Sequence, residues 1–308
     1  MADDKEHSNR ENGPAWRRLR GRLGLARWLG RTWAHWTYAR HVEPMWLEVT
    51  QWRVCAPDWP RALHALKLVH LTDFHGGRRV PLSLLLEAVE LTNAQQPHLV
   101  VLTGDFVHAG RRYVEQVADV LGRLRAQIGV AAVLGNHDFA VRTRLARRKS
   151  GLSNRIELAL RERGVQVLRN QAWRIEHQGA SFYLVGVDDL WSGACNVQQA
   201  FREVPEEAPC LLLAHHPNTL EHLSNRRVFL TLSGHTHGGQ VNWPGIGPVF
   251  LRGKMRRMAA GLFRHRHGLL YVNRGVGYGW RLRYRVRPEV AVFTLLNSEI
   301  SSSQLPDR

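Results

Sequence analysis

From residue 46 onward, short apolar runs alternate with amphipathic stretches, a rhythm that predicts β and α elements in turn. Strands are expected at Leu47–Val54, Lys67–Thr72, His98–Thr103, Val130–Leu134, Phe182–Val187, Cys210–Ala214, Phe229–Leu232, Leu269–Val272 and Val290–Leu295. Helical spacing of apolar positions predicts helices over Leu82–Gln95, Tyr113–Gln127 and Ile156–Arg163. The expected class is α/β. A single domain over residues 46–297 accounts for the pattern, with a tail at 298–308 and no internal repeat.

Residues 1–45 break the rhythm. The opening MADDKEHSNRENG is polar and aperiodic, as terminal tails are. From Pro14 to His41, Trp16, Trp28, Trp33, Trp36 and Tyr38 sit among seven arginines. On a helix, Trp16, Leu19, Leu23, Ala26, Leu29 and Trp33 share one face, with Arg17, Arg20, Arg27 and Arg31 opposite. Two readings stand side by side. Such a basic, tryptophan-bearing helix suits the headgroup boundary of an anionic bilayer; it can equally pack on the domain that follows, and Gly21, Gly24 and Gly30 weaken it as a helix. No apolar run reaches membrane-spanning length or makes the core of a signal peptide.

Charge and cysteine content add a little. Lysine and arginine total 43 against 26 aspartates and glutamates, a formal net charge of +17, so the partner is expected to be anionic. Three scattered cysteines, Cys55, Cys195 and Cys210, form neither a zinc knuckle nor a disulfide framework and suit a reducing compartment. The expected location is cytoplasmic, peripheral on the inner face of the cell membrane.

The chemistry lies at the ends of the apolar runs. Five of them close on metal-ligand residue types: LVHLTDFH at 68–75, LVVLTGDF at 99–106, VAAVLGNHD at 130–138, CLLLAHH at 210–216 and VFLTLSGHTHGGQ at 228–240. In α/β sheets, sites assemble beyond the carboxyl ends of strands, so Asp73, His75, Asp105, Asn136, His215, His235 and His237 can converge. Seven such groups exceed what one ion can use. They suit two divalent cations about 3.5–4 Å apart that share a carboxylate and clamp a displacement at phosphorus. The mixture of oxygen and imidazole favours Mn²⁺, with Fe, Zn²⁺ or Mg²⁺ as alternatives. His64, His70, His98, His177, His222, His265 and His267 read as ordinary core or surface residues.

The ordered set D-x-H, G-D, G-N-H-D, a strand-end H and G-H-x-H, running from residue 73 to residue 237, resembles the calcineurin-like metallophosphoesterases. The resemblance implies a two-sheet α/β sandwich with helices outside, built from residues 46–297. It implies that Asp73, His75 and His237 hold one metal, that Asp105 bridges, and that Asn136, His215 and His235 hold the other. His137 would be the catalytic acid, oriented by Asp138, while a metal-bridging hydroxide attacks phosphorus. One departure stands out: where the family often continues G-D-x-x-D/N, this chain places His108. His216 beside His215 is an alternative ligand, and the order His215-His216-Pro217 favours His215.

GHTHGGQVNWPGIGP and YVNRGVGYGW look like the branch of membrane-associated, YkuE-like phosphoesterases, some of which cleave the pyrophosphate of UDP-2,3-diacylglucosamine. A phosphorylated, lipid-linked substrate and an anionic membrane surface are therefore the expected partners. Another phospholipid or a soluble phosphoester is the alternative substrate. A nuclease ranks lower, because no aromatic stacking platform or nucleic-acid module accompanies the charge. A non-catalytic metal-binding membrane scaffold would have no use for His137. The charge runs Arg252–His267 and Arg281–Arg287 are either a solvated face or the rim of the pocket. Oligomeric state leaves no trace in the pattern.

Overall fold

In a computed structural model of the chain, residues 27, 29–56, 58–141 and 150–299 are described. Two six-stranded sheets stack face to face. The first runs β1 (Glu48–Ala56), β14 (Glu289–Asn297), β2 (Leu66–Leu71), β3 (Leu99–Leu102), β4 (Gly129–Ala132), β5 (Val165–Val167). The second runs β12 (Gly261–His265), β13 (Gly268–Val272), β9 (Val228–Ser233), β8 (Cys210–Leu213), β7 (Ala180–Gly186), β6 (Gln171–His177). A two-stranded ribbon, β10 (Asn242–Trp243) with β11 (Gly247–Pro248), projects beside them.

Burial explains why these runs become strands. Every residue of β3 and β8 is buried, as expected of parallel strands covered on both faces. Between the sheets, Leu68, Leu99, Val101 and Ala131 from one side meet Phe182, Leu184, Leu211 and Leu230 from the other. The outer face of the first sheet is covered by α1 (Leu82–Ala94), α2 (Val114–Leu121) and α3 (Ser150–Arg161) through Leu84, Val117 and Ile156. The second sheet is covered by shorter segments around α4 (Val197–Ala200), Phe201 and Leu220.

Helix α2 stops at Leu121, six residues before the end expected from its pattern, with Gly122 as its C-cap. The sequence pattern also passed over β5, β6, β12 and the ribbon. β6 and β12 are antiparallel edges, and their polar positions dilute the apolar signal. The three cysteines are free thiols.

Parallel pairing of β2, β3 and β4, and of β7, β8, β9 and β13, points their carboxyl ends at one rim. The motif residues follow those ends. Before the first strand, residues 29–37 form a helix whose Leu29, Trp33 and Trp36 are exposed, while His35 meets the ring of Tyr284 at 5.9 Å. Most of the basic segment, residues 1–26 and Trp28, lies outside the described residues. The chain is buried just after it, where Ala39 and Glu43 are covered and their oxygens accept from the backbone N–H groups of Arg283 and Val286. Among the described residues, no helix is long and apolar enough to cross a membrane.

His70, in the middle of β2, is fully buried with Nε2 2.8 Å from the Thr103 hydroxyl. Burial pushes its imidazole down to about 3. The unfolded chain therefore takes up this proton below about pH 6.5 while the folded chain does not, so stability falls as pH drops from there towards 3. Denaturant titrations at pH 7 and pH 5 should show His70→Asn losing about 2 kcal/mol less than wild type between them. Equal losses would mean that His70 is not held neutral.

Candidate metal centre

Each site residue stands in the loop just past a strand end, and the loops turn sharply to aim it. Asp73, His75, Asp105, His235 and His237 all have left-handed backbones, with φ of 55°, 47°, 55°, 71° and 50°. Side chains other than glycine rarely sit there, and such strain collects at functional sites. Two glycines make the close approach possible. A Cβ on Gly135 would lie 2.2 Å from Asp105 Oδ1, and one on Gly234 would lie 2.3 Å from Asp73 Oδ2.

The seven expected side chains meet as two donor sets that share Asp105. In one, His75 Nε2 lies 2.9 Å from His237 Nε2, 3.9 Å from Asp73 Oδ1 and 3.5 Å from Asp105 Oδ2, with His237 Nε2 3.4 Å from Asp73 Oδ1. In the other, His215 Nε2 lies 3.4 Å from Asp105 Oδ2 and 3.2 Å from Asn136 Oδ1, which is 3.0 Å from His235 Nδ1. Ligand bonds of about 2.1 Å in tetrahedral or octahedral geometry place neighbouring donors about 3.0–3.5 Å apart, so these spacings, apart from the 3.9 Å between His75 and Asp73, fit the edges of two coordination polyhedra. Nitrogen and oxygen donors with no thiolate suit Mn²⁺, Fe or Zn²⁺. His216 Nδ1 accepts from the Asn218 N–H, and its ring lies 4.4 Å from that of His235.

Electrostatics prepare these groups for cations. Burial holds the imidazoles of His75 and His235 well below their usual range and lowers His237, so all three keep a lone pair to offer. Burial alone would raise Asp105, but the imidazoles of His215 and His137 outweigh it and hold the carboxyl well below the usual carboxylate range. His215 shows the converse: burial opposes its charge, yet Asp105 raises it to about 10. Its Nδ1–H donates to the Thr103 carbonyl at 2.6 Å, leaving Nε2 towards Asp105 and Asn136. Any cation taking that nitrogen must displace a proton.

His137 and Asp138 do not form the pair that the sequence suggested. The turn His137–Phe139 carries Asp138 under the site, where it is fully buried and its carboxylate accepts from the backbone N–H groups of Asp105, Phe106 and Gly135 at 2.9 Å each. Burial, with the charge on Asp105 added, pushes this carboxyl up to about 8 against those bonds. Asp138 thus braces the loop that carries Asp105. The His137 ring instead donates through Nδ1 to the His108 carbonyl at 2.9 Å, leaving Nε2 as its other nitrogen.

Further residues line or brace the site. His108 lies at the mouth, its Nδ1 3.4 Å from His75 Nδ1, and it lines two cavities of about 610 and 400 Å³. Arg78 and Arg79 line the larger and Arg111 the smaller, so the approach is cationic. Trp191 stands edge-on to His235, with ring centroids 4.4 Å apart. Arg283 is buried beneath the loop after β13 and donates to the carbonyls of Arg274, Gly275, Gly277 and Val286. That loop in turn holds the strand end bearing Asp73, through Val276 N–H to Thr72 O and Gly277 N–H to Asp73 O.

The family model described as calcineurin-like phosphoesterase matches residues 66–239. The phosphodiesterase YaeI of Escherichia coli is 37% identical over 84% of this chain and 92% of its own length. The UDP-2,3-diacylglucosamine pyrophosphatase LpxG of Chlamydia trachomatis is 29% identical over 85% of this chain and 93% of its own. The metallophosphoesterase YkuE of Bacillus subtilis is 28% identical over 84% and 88%.

Proposed function

Because the chain belongs to the calcineurin-like phosphoesterase family, a class of hydrolases that act on phosphoester bonds, we propose that it cleaves a lipid-linked phosphodiester or pyrophosphate at a membrane surface. The pyrophosphate of a UDP-2,3-diacylglucosamine-like substrate is the specific reading, supported by the similarity to LpxG. The observation that carries the catalytic part is the placing of Asp105 between two donor sets.

Two divalent cations there, Mn²⁺ by preference, would supply Lewis acidity towards phosphoryl oxygens and lower the pKa of water. Asp73, His75 and His237 would hold one, Asn136, His215 and His235 the other, and Asp105 both. His137, oriented by the His108 carbonyl, holds a proton for the leaving oxygen. Arg78, Arg79 and Arg111 attract the phosphate and orient its approach. The exposed helix of residues 29–37, with Trp33 and Trp36, supports a surface location.

The similarity to YaeI favours a second reading, a phosphodiesterase for another phospholipid or a soluble diester. Product analysis with Mn²⁺-loaded protein separates the two. Release of UMP from UDP-2,3-diacylglucosamine in mixed micelles, much faster than hydrolysis of bis-4-nitrophenyl phosphate, is the expected result. Preference for the soluble diester would replace the lipid-linked reading.

A further inference from the structure

We infer that the β10–β11 ribbon, the loop after it and the Trp280 loop form a platform that docks on an anionic phospholipid bilayer and presents the metal centre to it. The inference deepens the reading of a lipid-linked substrate given above. It rests on a different part of the molecule from the N-terminal segment.

Exposed apolar side chains are ordinary when scattered, and a contiguous set marks an interaction surface. Here Trp243, Ile246, Val249, Phe250 and Trp280 are 49%, 58%, 47%, 53% and 61% exposed. Contacts join the aromatic members across the ribbon and the two loops. The Phe250 and Trp280 rings meet edge-on at 5.8 Å, and the Trp243 and Tyr284 rings lie 5.6 Å apart. The Asn242 N–H donates to the Tyr284 carbonyl, and the Gln240 side-chain amide donates to the carbonyls of Trp280 and Leu282. The platform is therefore fixed to the backbone three residues beyond His237. Tyr284 also meets His35 at 5.9 Å, which joins the exposed helix of residues 29–37 to the same edge.

Charge selects the occupant. Between Glu221 and Glu289 the sequence has no aspartate or glutamate, while Arg252, Lys254, Arg256 and Arg257 are exposed on the segment following Phe250. Arg256 donates to the carbonyl of Ile246, which sets a guanidinium beside the apolar tip. Aromatic and aliphatic tips ringed by arginines suit the headgroup region, where rings enter and guanidinium groups meet phosphates. A second copy of this face would bring two acid-free, cationic surfaces together.

The test is co-sedimentation of the full-length Mn²⁺-loaded protein with phosphatidylcholine vesicles, with and without phosphatidylglycerol, beside hydrolysis of bis-4-nitrophenyl phosphate in solution. The variant is Ile246→Glu with Phe250→Glu; Leu158→Glu on α3 is the control, because Leu158 is 54% exposed but lies outside the platform. Wild type and control should bind the phosphatidylglycerol vesicles, with the double variant weakened about tenfold or more. Hydrolysis of the soluble ester should be equal in all three, which shows that the variant is folded. Unchanged vesicle binding by the variant overturns the platform. Binding that ignores phosphatidylglycerol overturns the role given to the arginines. A wild-type dimer that the variant converts to monomer, with no vesicle binding by either, assigns the face to self-association instead. Failure of every form to hydrolyse the soluble ester defeats the phosphoesterase reading and leaves the vesicle result standing by itself.

Discussion

Asp105→Asn is expected to empty both metal positions and to abolish turnover at limiting Mn²⁺. The side chain stands 3.5 Å from His75 Nε2 and 3.4 Å from His215 Nε2, so a single amide replaces the carboxylate of both donor sets. Losing even an outer partner of a metal ligand costs about 10–100-fold in affinity, so a loss of about 100-fold at each position compounds to about 10⁴ in the doubly loaded form. Elemental analysis after dialysis reads the metal directly. His237→Ala is the comparison, because that residue serves one donor set and its loss should spare the other. Retention of two ions by Asp105→Asn would remove the shared carboxylate from the account. The metal-free variant should also lose stability near pH 7, because the buried Asp105–His215 charge pair goes, although the amide oxygen can still accept the His137 backbone N–H now 2.9 Å from Asp105 Oδ1.

His137→Ala is expected to keep the metal and lose the rate. Its imidazole belongs to neither donor set, and its Nδ1–H is committed to the His108 carbonyl. Positioned acid–base help is worth about 10²–10⁴ in rate, so kcat should fall by that much with KM little changed. The size of the loss should depend on the leaving group. An ester of 4-nitrophenol, which departs without a proton, should suffer much less than an alkyl ester, which needs one. Equal losses for both esters would assign His137 to positioning rather than to proton transfer. His137→Gln gives a second variant, since its amide N–H can replace the bond to His108.

The core strands and the donor set were legible in the sequence for one physical reason: a strand buried on both faces must be apolar throughout, so the polar residue that ends it stands out. β3 and β8 are of that kind, and Asp105 and His215 follow them. β6 reads QAWRIEH, alternating towards solvent at a sheet edge, and carried no such contrast. The partner of His137 was illegible because adjacency along the chain says nothing about side-chain direction. In the turn His137–Phe139, neighbouring side chains diverge, so Asp138 points down onto the Asp105 loop while His137 points to the mouth. Arg283 looked like one cation in a charged run, although it is fully buried and bonded to four backbone carbonyls. Only the looping of residues 274–286 over a single guanidinium distinguishes it from its exposed neighbour Arg285.

The most direct measurement is the number of Mn²⁺ ions bound per chain, read by titration calorimetry and elemental analysis on protein stripped with chelator, with diester hydrolysis followed at each addition. Two ions per wild-type chain, with activity that rises as the second position fills, is the predicted result. A single ion at saturation, or full turnover by the stripped protein, would contradict a centre built on two donor sets joined at Asp105.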